Sequence, residues 1–189
     1  MTVKKIIVGV SGASGTVYAV DLLKRLHTIS DVEVHLVMSS WAKKNLLLEN
    51  DYSIDEIKEL ADYTYNIRDQ GATIASGSFL NDGMVIVPAS MKTVAGIASG
   101  YGDDLIVRAA DVAIKEQRKL VMVPRETPLS VIHLENLTRL ARLGVQIIPP
   151  IPAFYSHPKT IQDLINHQTM KILDAFSISN DFDKRWEGD

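Results

Sequence analysis

Lys4-Lys5-Ile6-Ile7-Val8-Gly9-Val10-Ser11-Gly12-Ala13-Ser14-Gly15 joins a short apolar run to a turn punctuated by glycine. Residues 6–10 are apolar on both faces, as a central strand of a parallel sheet requires. Immediately downstream, Val17, Ala19, Val20, Leu22, Leu23 and Leu26 recur at helical spacing. Strand, tight glycine turn and helix in that order open an α/β unit.

The same alternation continues along the chain. Strands are expected at 32–37, 84–87, 120–123 and 145–148, the last three stopped by Pro88, Pro124 and Pro149-Pro150. Helices are expected at 41–48, after Ser53 with Glu56 three residues on as a capping box, and around 93–98. Others should run from Asp103 or Asp104 to about 117, from Thr127-Pro128 to near Gly144, and over 160–175. Residues 62–82, broken by Gly71 and Gly77, read as irregular with at most a short helix or strand. Strands alternating with helices predict a single three-layer α/β/α domain spanning 1–189, a parallel sheet covered on both faces. No linker or internal repeat divides it.

Composition narrows the function classes. The 189 residues carry 20 basic and 23 acidic side chains, a formal charge of −3, so no electrostatic case exists for nucleic acid or an anionic membrane. The absence of cysteine excludes disulfides, thiolate nucleophiles and sulfur-ligated zinc and fits a cytoplasmic protein. No apolar run suits a secretory signal or a spanning helix. The histidines never take the His-x-x-x-His spacing of a helical metal pair, and no metal site is expected.

Chemistry concentrates where strands end. Gly9-x-x-Gly12-x-x-Gly15 could present backbone amides to a phosphate at a helix N-terminus, with Ser11 and Ser14 adding hydroxyls; its spacing is not the dinucleotide fingerprint, and a purely structural turn is the competing reading. Later strands feed Ser90-Met91-Lys92-Thr93, Arg125-Glu126-Thr127 and Pro152-Ala153-Phe154-Tyr155. In an open parallel sheet these segments meet at the carboxyl edge, where ligands bind. Arg108 and Lys115 lie seven residues apart on one helix, hence on one face, as phosphate-binding groups or surface charges. His133 and Glu135 point apart on their helix and do not share a metal. Trp41 and Trp186 read as packing anchors.

These segments resemble the UbiX family of flavin prenyltransferases, and within it the B subunits of bacterial phenolic acid decarboxylase systems. The resemblance covers nearly the whole chain. It is carried by Gly12-Ala13-Ser14-Gly15, Ser76-Gly77-Ser78-Phe79, Arg108-Ala109-Ala110-Asp111-Val112, Arg125-Glu126-Thr127-Pro128-Leu129, Ile132-His133-Leu134-Glu135-Asn136, Pro149-Pro150-x-Pro152-Ala153-Phe154-Tyr155 and Arg185-Trp186-Glu187-Gly188. It implies a Rossmann-like, flavodoxin-like fold, a dodecameric homo-oligomer and a metal-independent transfer of a dimethylallyl group from dimethylallyl monophosphate to N5 and C6 of reduced FMN. The product would serve a UbiD-type decarboxylase.

By the same resemblance, Ser14, Glu49 and Glu126 would be catalytic. Gly12, Ala13, Ser14, Ser39, Ser90, Thr93 and Arg108 would hold the flavin. Lys115, Arg125, Glu126, Tyr155 and Lys171 would surround the donor phosphate, several of them reaching the site from neighbouring subunits. Two positions depart from the family pattern. Ala89 stands where cysteine is usual, and Lys171 replaces an arginine, keeping the charge without its bidentate fork. A flavin carrier without catalysis, and an oxidative decarboxylase of the related flavoproteins that act on peptidyl cysteine, are the competing functions; the latter use an early histidine where this chain has Ser14.

Overall fold

Alternate residues of the central strands point into two different cores. Ile6, Val8, Val10, Val85, Val87, Val121 and Val123 enter one; Ile7, Met84, Ile86, Leu120 and Met122 enter the other. This is the period-2 alternation of a sheet buried on both faces. The computed structural model describes residues 3–182, 185 and 188. Among these residues six strands form one sheet: β1 (Lys4–Val10), β2 (Val32–Met38), β3 (Tyr63–Tyr65), β4 (Gly83–Ala89), β5 (Leu120–Pro124) and β6 (Gln146–Ile147). Their order is β3-β2-β1-β4-β5-β6, and every pairing is parallel.

The helices divide between the faces. α1 (Thr16–His27), α2 (Ser40–Glu49), α3 (Ile54–Lys58) and α7 (Ile161–Ala175) pack residues into the first core. α4 (Met91–Ser99), α5 (Leu105–Lys115) and α6 (Val131–Arg142) supply the second. The expected three layers are therefore present, in the flavodoxin-like arrangement. Among the described residues no helix is long and apolar enough to cross a membrane.

Several expected boundaries move, each for a local reason. β4 does not stop before Pro88 but runs to Ala89, and its pairing with β5 shifts register between Ile86 and Ala89. A proline lacks the ladder donor and is tolerated where the ladder is already irregular. β5 likewise includes Pro124. The sixth helix begins at Val131 rather than at Pro128, because Ser130 and His133 form a reciprocal capping box there. Asp104, not Asp103, caps α5 through its carboxylate and the Val107 amide, 3.0 Å apart. Within the stretch expected to be irregular, β3 is held at the sheet edge by His35. That ring stacks on Tyr63 with centroids 4.8 Å apart, and its Nδ1 lies 2.8 Å from Tyr65 Oη.

α1 and α7 are joined by a polar network as well as by apolar packing. Asp21 accepts from Arg25 Nε at 2.9 Å, Gln162 Nε2 at 3.0 Å and Thr169 Oγ1 at 2.7 Å. Thr169 is fully buried, so its hydroxyl has no water to fall back on. Thr169→Val keeps the shape and removes a hydrogen bond to a charged acceptor, which should cost about 1.5–3 kcal/mol. Thermal unfolding of the variant should show a lowered midpoint with unchanged far-UV circular dichroism; an unshifted midpoint would show that this contact does not stabilise the fold.

Candidate active site

From β1 the chain moves to β2 and β3 on one side of the sheet, then returns to β4 on the other. The carboxyl ends of β1 and β4 therefore flank the topological switch point, the usual crevice for a ligand in such sheets. A cleft of about 480 Å³ opens there, lined in part by Gly12 after β1, Ser39 after β2 and Ser90 and Thr93 after β4.

Local hydrogen bonds build its floor. Ser11 Oγ donates to the Pro88 carbonyl at 3.0 Å and accepts from the Ser90 amide at 2.7 Å, so the loops after β1 and β4 are stitched together. The Ser39 amide donates to the Val10 carbonyl at 2.9 Å. Ser39 Oγ then caps α2 by accepting from the Ala42 amide at 3.0 Å. Ser90 Oγ does the same for α4 through the Thr93 amide at 3.3 Å. Two helix N-termini, each with a serine cap, thus border one cleft. Gly12 is the residue the geometry requires: a Cβ there would sit 2.6 Å from Trp41 Cβ.

The glycine turn itself works differently from a phosphate receptor. Glu49, the last residue of α2, places Oε2 2.9 Å from the Gly15 amide, 2.8 Å from the Thr16 amide and 2.7 Å from Thr16 Oγ1. The Ser14 hydroxyl also hydrogen-bonds this carboxylate. Gly15 takes a left-handed φ of 101° to aim its amide there. The N-terminus of α1, read from sequence as a possible phosphate receptor, is filled by an internal carboxylate. Burial alone would push the Glu49 carboxyl up, but the hydrogen bonds from Thr16, Ser14 and the two amides outweigh it and hold the group below its ordinary value. Glu49 is thus held in its ionised form at neutral pH by the turn it closes.

Other site candidates lie apart from the cleft within a single chain. Ala13 is buried beneath the turn. Arg108 donates to the Ala75 carbonyl at 3.2 Å and pairs with Asp111 at 3.0 Å, while Lys115 pairs with Glu116 beside Gly77. Both lean on the 75–77 loop. Arg125 and Glu126 are exposed just beyond β5. Tyr155 meets His167 edge to face, centroids 5.7 Å apart, and Lys171 is exposed on α7. Ala89 is fully buried at the end of β4, so its small side chain is packed rather than presented. Trp186 and Glu187 lie outside the described residues. Three residues that matter here went unassigned: Thr16, which anchors Glu49, and Arg68 and Lys92, which line the cleft; Trp41, read as a packing anchor, is instead exposed and lines the cleft as well. Only Lys92 had a visible signal, its place in the Ser90–Thr93 segment.

The family model described as Flavoprotein matches residues 1–173. A flavin prenyltransferase, LpdB of Lactiplantibacillus plantarum, is 77% identical over 186 residues, covering 98% of this chain and 100% of that protein. The chain belongs to the UbiX-like flavin prenyltransferase family. Two crystal structures from it share the fold closely. A dodecameric FMN-dependent UbiX-like decarboxylase from Escherichia coli O157:H7 has a TM-score of 0.96 at 53% identity, covering 97% of this chain and 100% of that one. AnUbiX (PadA1), in complex with FMN and dimethylallyl pyrophosphate, also has a TM-score of 0.96, at 47% identity and 98% coverage of both chains. The family assignment agrees with the position of the cleft at the switch point.

The depressed titration of Glu49 sets a pH dependence. A carboxyl whose folded value lies below its unfolded value stabilises the fold above the ordinary value of 4.5 and loses that contribution as pH falls through the folded value. Glu49→Gln should therefore lower the thermal midpoint at neutral pH, and the gap to wild type should close in acid. Midpoints measured from pH 7 downward test this; a gap independent of pH would mean that the charge of Glu49 contributes nothing to the turn.

Proposed function

We propose that this chain is a flavin prenyltransferase that joins a dimethylallyl group from dimethylallyl monophosphate to reduced FMN, with loss of phosphate, to make prenylated FMN. The observation that carries this reading is the near-full-length identity to a flavin prenyltransferase, coupled to a switch-point cleft bordered by two serine-capped helix ends. That cleft suits a flavin phosphate chemically, since helix N-termini and free amides favour anions. Gly12, Ala13, Ser14, Ser39, Ser90, Thr93 and Arg108 would hold the flavin. Bound reduced flavin supplies the electron-rich ring that traps the allyl group.

The roles of the remaining residues follow from charge. A phosphate departs only if its growing negative charge is met, and Lys115, Arg125 and Lys171 would meet it, with the Tyr155 hydroxyl adding a hydrogen bond. Lys171 offers a point charge in place of a planar fork, so it would grip the donor less specifically. Glu126, beside Arg125, would handle the phosphate or take the ring proton, and ionised Glu49 would manage the proton near flavin N5.

Arg108 and Lys115 sit away from the single-chain cleft, which supports a site completed by neighbouring copies. Exposed Val131, Ile132, Leu134 and Leu143 on and beside α6 form an apolar face that a second copy would cover. We take the working assembly to be a homo-oligomer, a dodecamer as in the E. coli O157:H7 relative. We place residues 1–189 as one flavoprotein domain acting in the cytoplasm, with the product passed to a UbiD-type decarboxylase.

Anaerobic incubation with FMN, reductant and dimethylallyl monophosphate should yield a flavin one C5 unit heavier. Oxidation of a cysteine-ended peptide without such a product would overturn the reading. Glu126→Gln should slow single turnover by about 10²–10⁴-fold while leaving FMN affinity near wild type; a wild-type rate would remove Glu126 from the chemistry.

A further inference from the structure

We infer that Arg118 is a positioning residue for donor use: it clamps the 76–79 loop so that Gly77 and Lys115 meet in one fixed arrangement. The inference rests on the reading that Lys115 meets the donor phosphate. Arg118 lies beyond the end of α5 and does not line the switch-point cleft. Its guanidinium commits both terminal nitrogens to one loop. Nη1 donates to the Phe79 carbonyl at 2.7 Å and Nη2 to the Gly77 carbonyl at 2.6 Å. These main-chain oxygens are 39 and 41 positions away in sequence, so the planar fork fixes a distant stretch of backbone rather than serving as a surface charge.

The backbone is bent to put Arg118 there. Gln117 takes a left-handed φ of 53°, a region that a residue with a side chain disfavours. The Gln117 amide donates to the Ile114 carbonyl at 3.1 Å, and the Arg118 amide donates to the Ala113 carbonyl at 2.8 Å. These are the paired bonds of a Schellman helix end, which usually has glycine at the left-handed position. α5 is thereby stopped just after Lys115, and Arg118 is turned back toward the 76–79 loop.

The loop is held from several sides. Arg108 Nε donates to the Ala75 carbonyl at 3.2 Å at its start, and Arg118 holds its end. The Phe79 ring meets His35 edge to face with centroids 4.9 Å apart, and Lys5 Nζ lies 5.3 Å from its centre. Between these holds Gly77 lies directly against Lys115. A Cβ on Gly77 would sit 2.9 Å from Lys115 Nζ and closer still to Glu116 Oε1. The missing side chain leaves room for the ammonium and for the Glu116 carboxylate that pairs with it. The loop is therefore the surface on which the Lys115 head rests. A cation that must meet a departing phosphate is effective only where it is aimed. Without the Arg118 clamp, Gly77 could move and Lys115 with it, while the cleft lined by Gly12, Ser39 and Ser90 would keep its shape.

The test is steady-state kinetics with saturating reduced FMN and varied dimethylallyl monophosphate, with FMN affinity measured alongside by flavin fluorescence. The proteins are the wild type, Arg118→Gln, Arg118→Lys, Gly77→Ala, Lys115→Gln, and Arg118→Gln combined with Lys115→Gln. Arg118→Gln and Gly77→Ala should each lower kcat/KM for the donor about ten- to a hundredfold, the scale of a misplaced reactive group, with FMN affinity unchanged. Gly77→Ala keeps Arg118, so it disturbs the contact with Lys115 without removing the clamp. Arg118→Lys, which keeps a charged donor for the carbonyls, should recover part of the loss. In the Lys115→Gln background Arg118→Gln should add little, because the two act through one contact. Fully additive losses, or FMN affinity lost together with donor use, would overturn the inference in favour of a general structural role. A kcat/KM that falls in Lys115→Gln but not in Arg118→Gln would overturn this inference alone. A wild type that forms no prenylated flavin, or a Lys115→Gln variant with normal donor kinetics, would overturn the underlying functional reading and this inference with it.

Discussion

Glu49 Oε2 accepts from the Gly15 amide, the Thr16 amide and the Thr16 hydroxyl, and through these contacts the end of α2 is tied to the start of α1. The carboxylate occupies the positive end of a helix dipole, so it is stabilised there while it stabilises the helix. Asn50 adds to the tie by donating to Thr16 Oγ1 at 2.9 Å. With α2 fixed at its far end by Glu49 and at its near end by Ser39 on the Val10 carbonyl, the loops after β1 and β2 have little freedom left. The cleft between them is therefore bordered by segments tied to one another.

This lock redirects the anion chemistry of the site. A glycine turn feeding a helix ordinarily offers its amides to a ligand phosphate. Here they are satisfied from within the chain, and the open helix ends are those of α2 and α4 across the switch point. Glu49 gains a second consequence from the same geometry. Its hydrogen bonds hold it ionised, so a substitution there changes both the local charge and the shape of the turn. The pH dependence of stability separates these two effects.

Charge is distributed unevenly between the single-chain cleft and the rest of the molecule. Arg125, Glu126 and Lys171 are exposed, while Arg108 and Lys115 are engaged around the 75–77 loop. The exposed apolar residues of α6 lie on a face with no covering element in the chain itself. The exposed charges are ordinary for a protein surface, whereas an uncovered apolar face of this kind is a common mark of a contact surface.

The order of strands and helices was legible because burial on two faces leaves an unmistakable mark: apolar runs such as Ile6–Val10 alternating with amphipathic helices. Caps were legible where they are local, as at Ser53 with Glu56. Ser130 with His133 is equally local and was missed because histidine is not the usual third-position partner of a capping box. Resemblance to a family also allowed candidate site residues to be named from short motifs such as Gly12-Ala13-Ser14-Gly15. What the sequence could not decide is everything that depends on residues distant along the chain. The pairing of Glu49 with Gly15 and Thr16 spans more than thirty positions, and the convergence of Arg68 and Lys92 on one cleft depends on β3 lying at the sheet edge beside β2. Local pattern records propensity and burial; partners brought together by sheet order exist only once the sheet has formed.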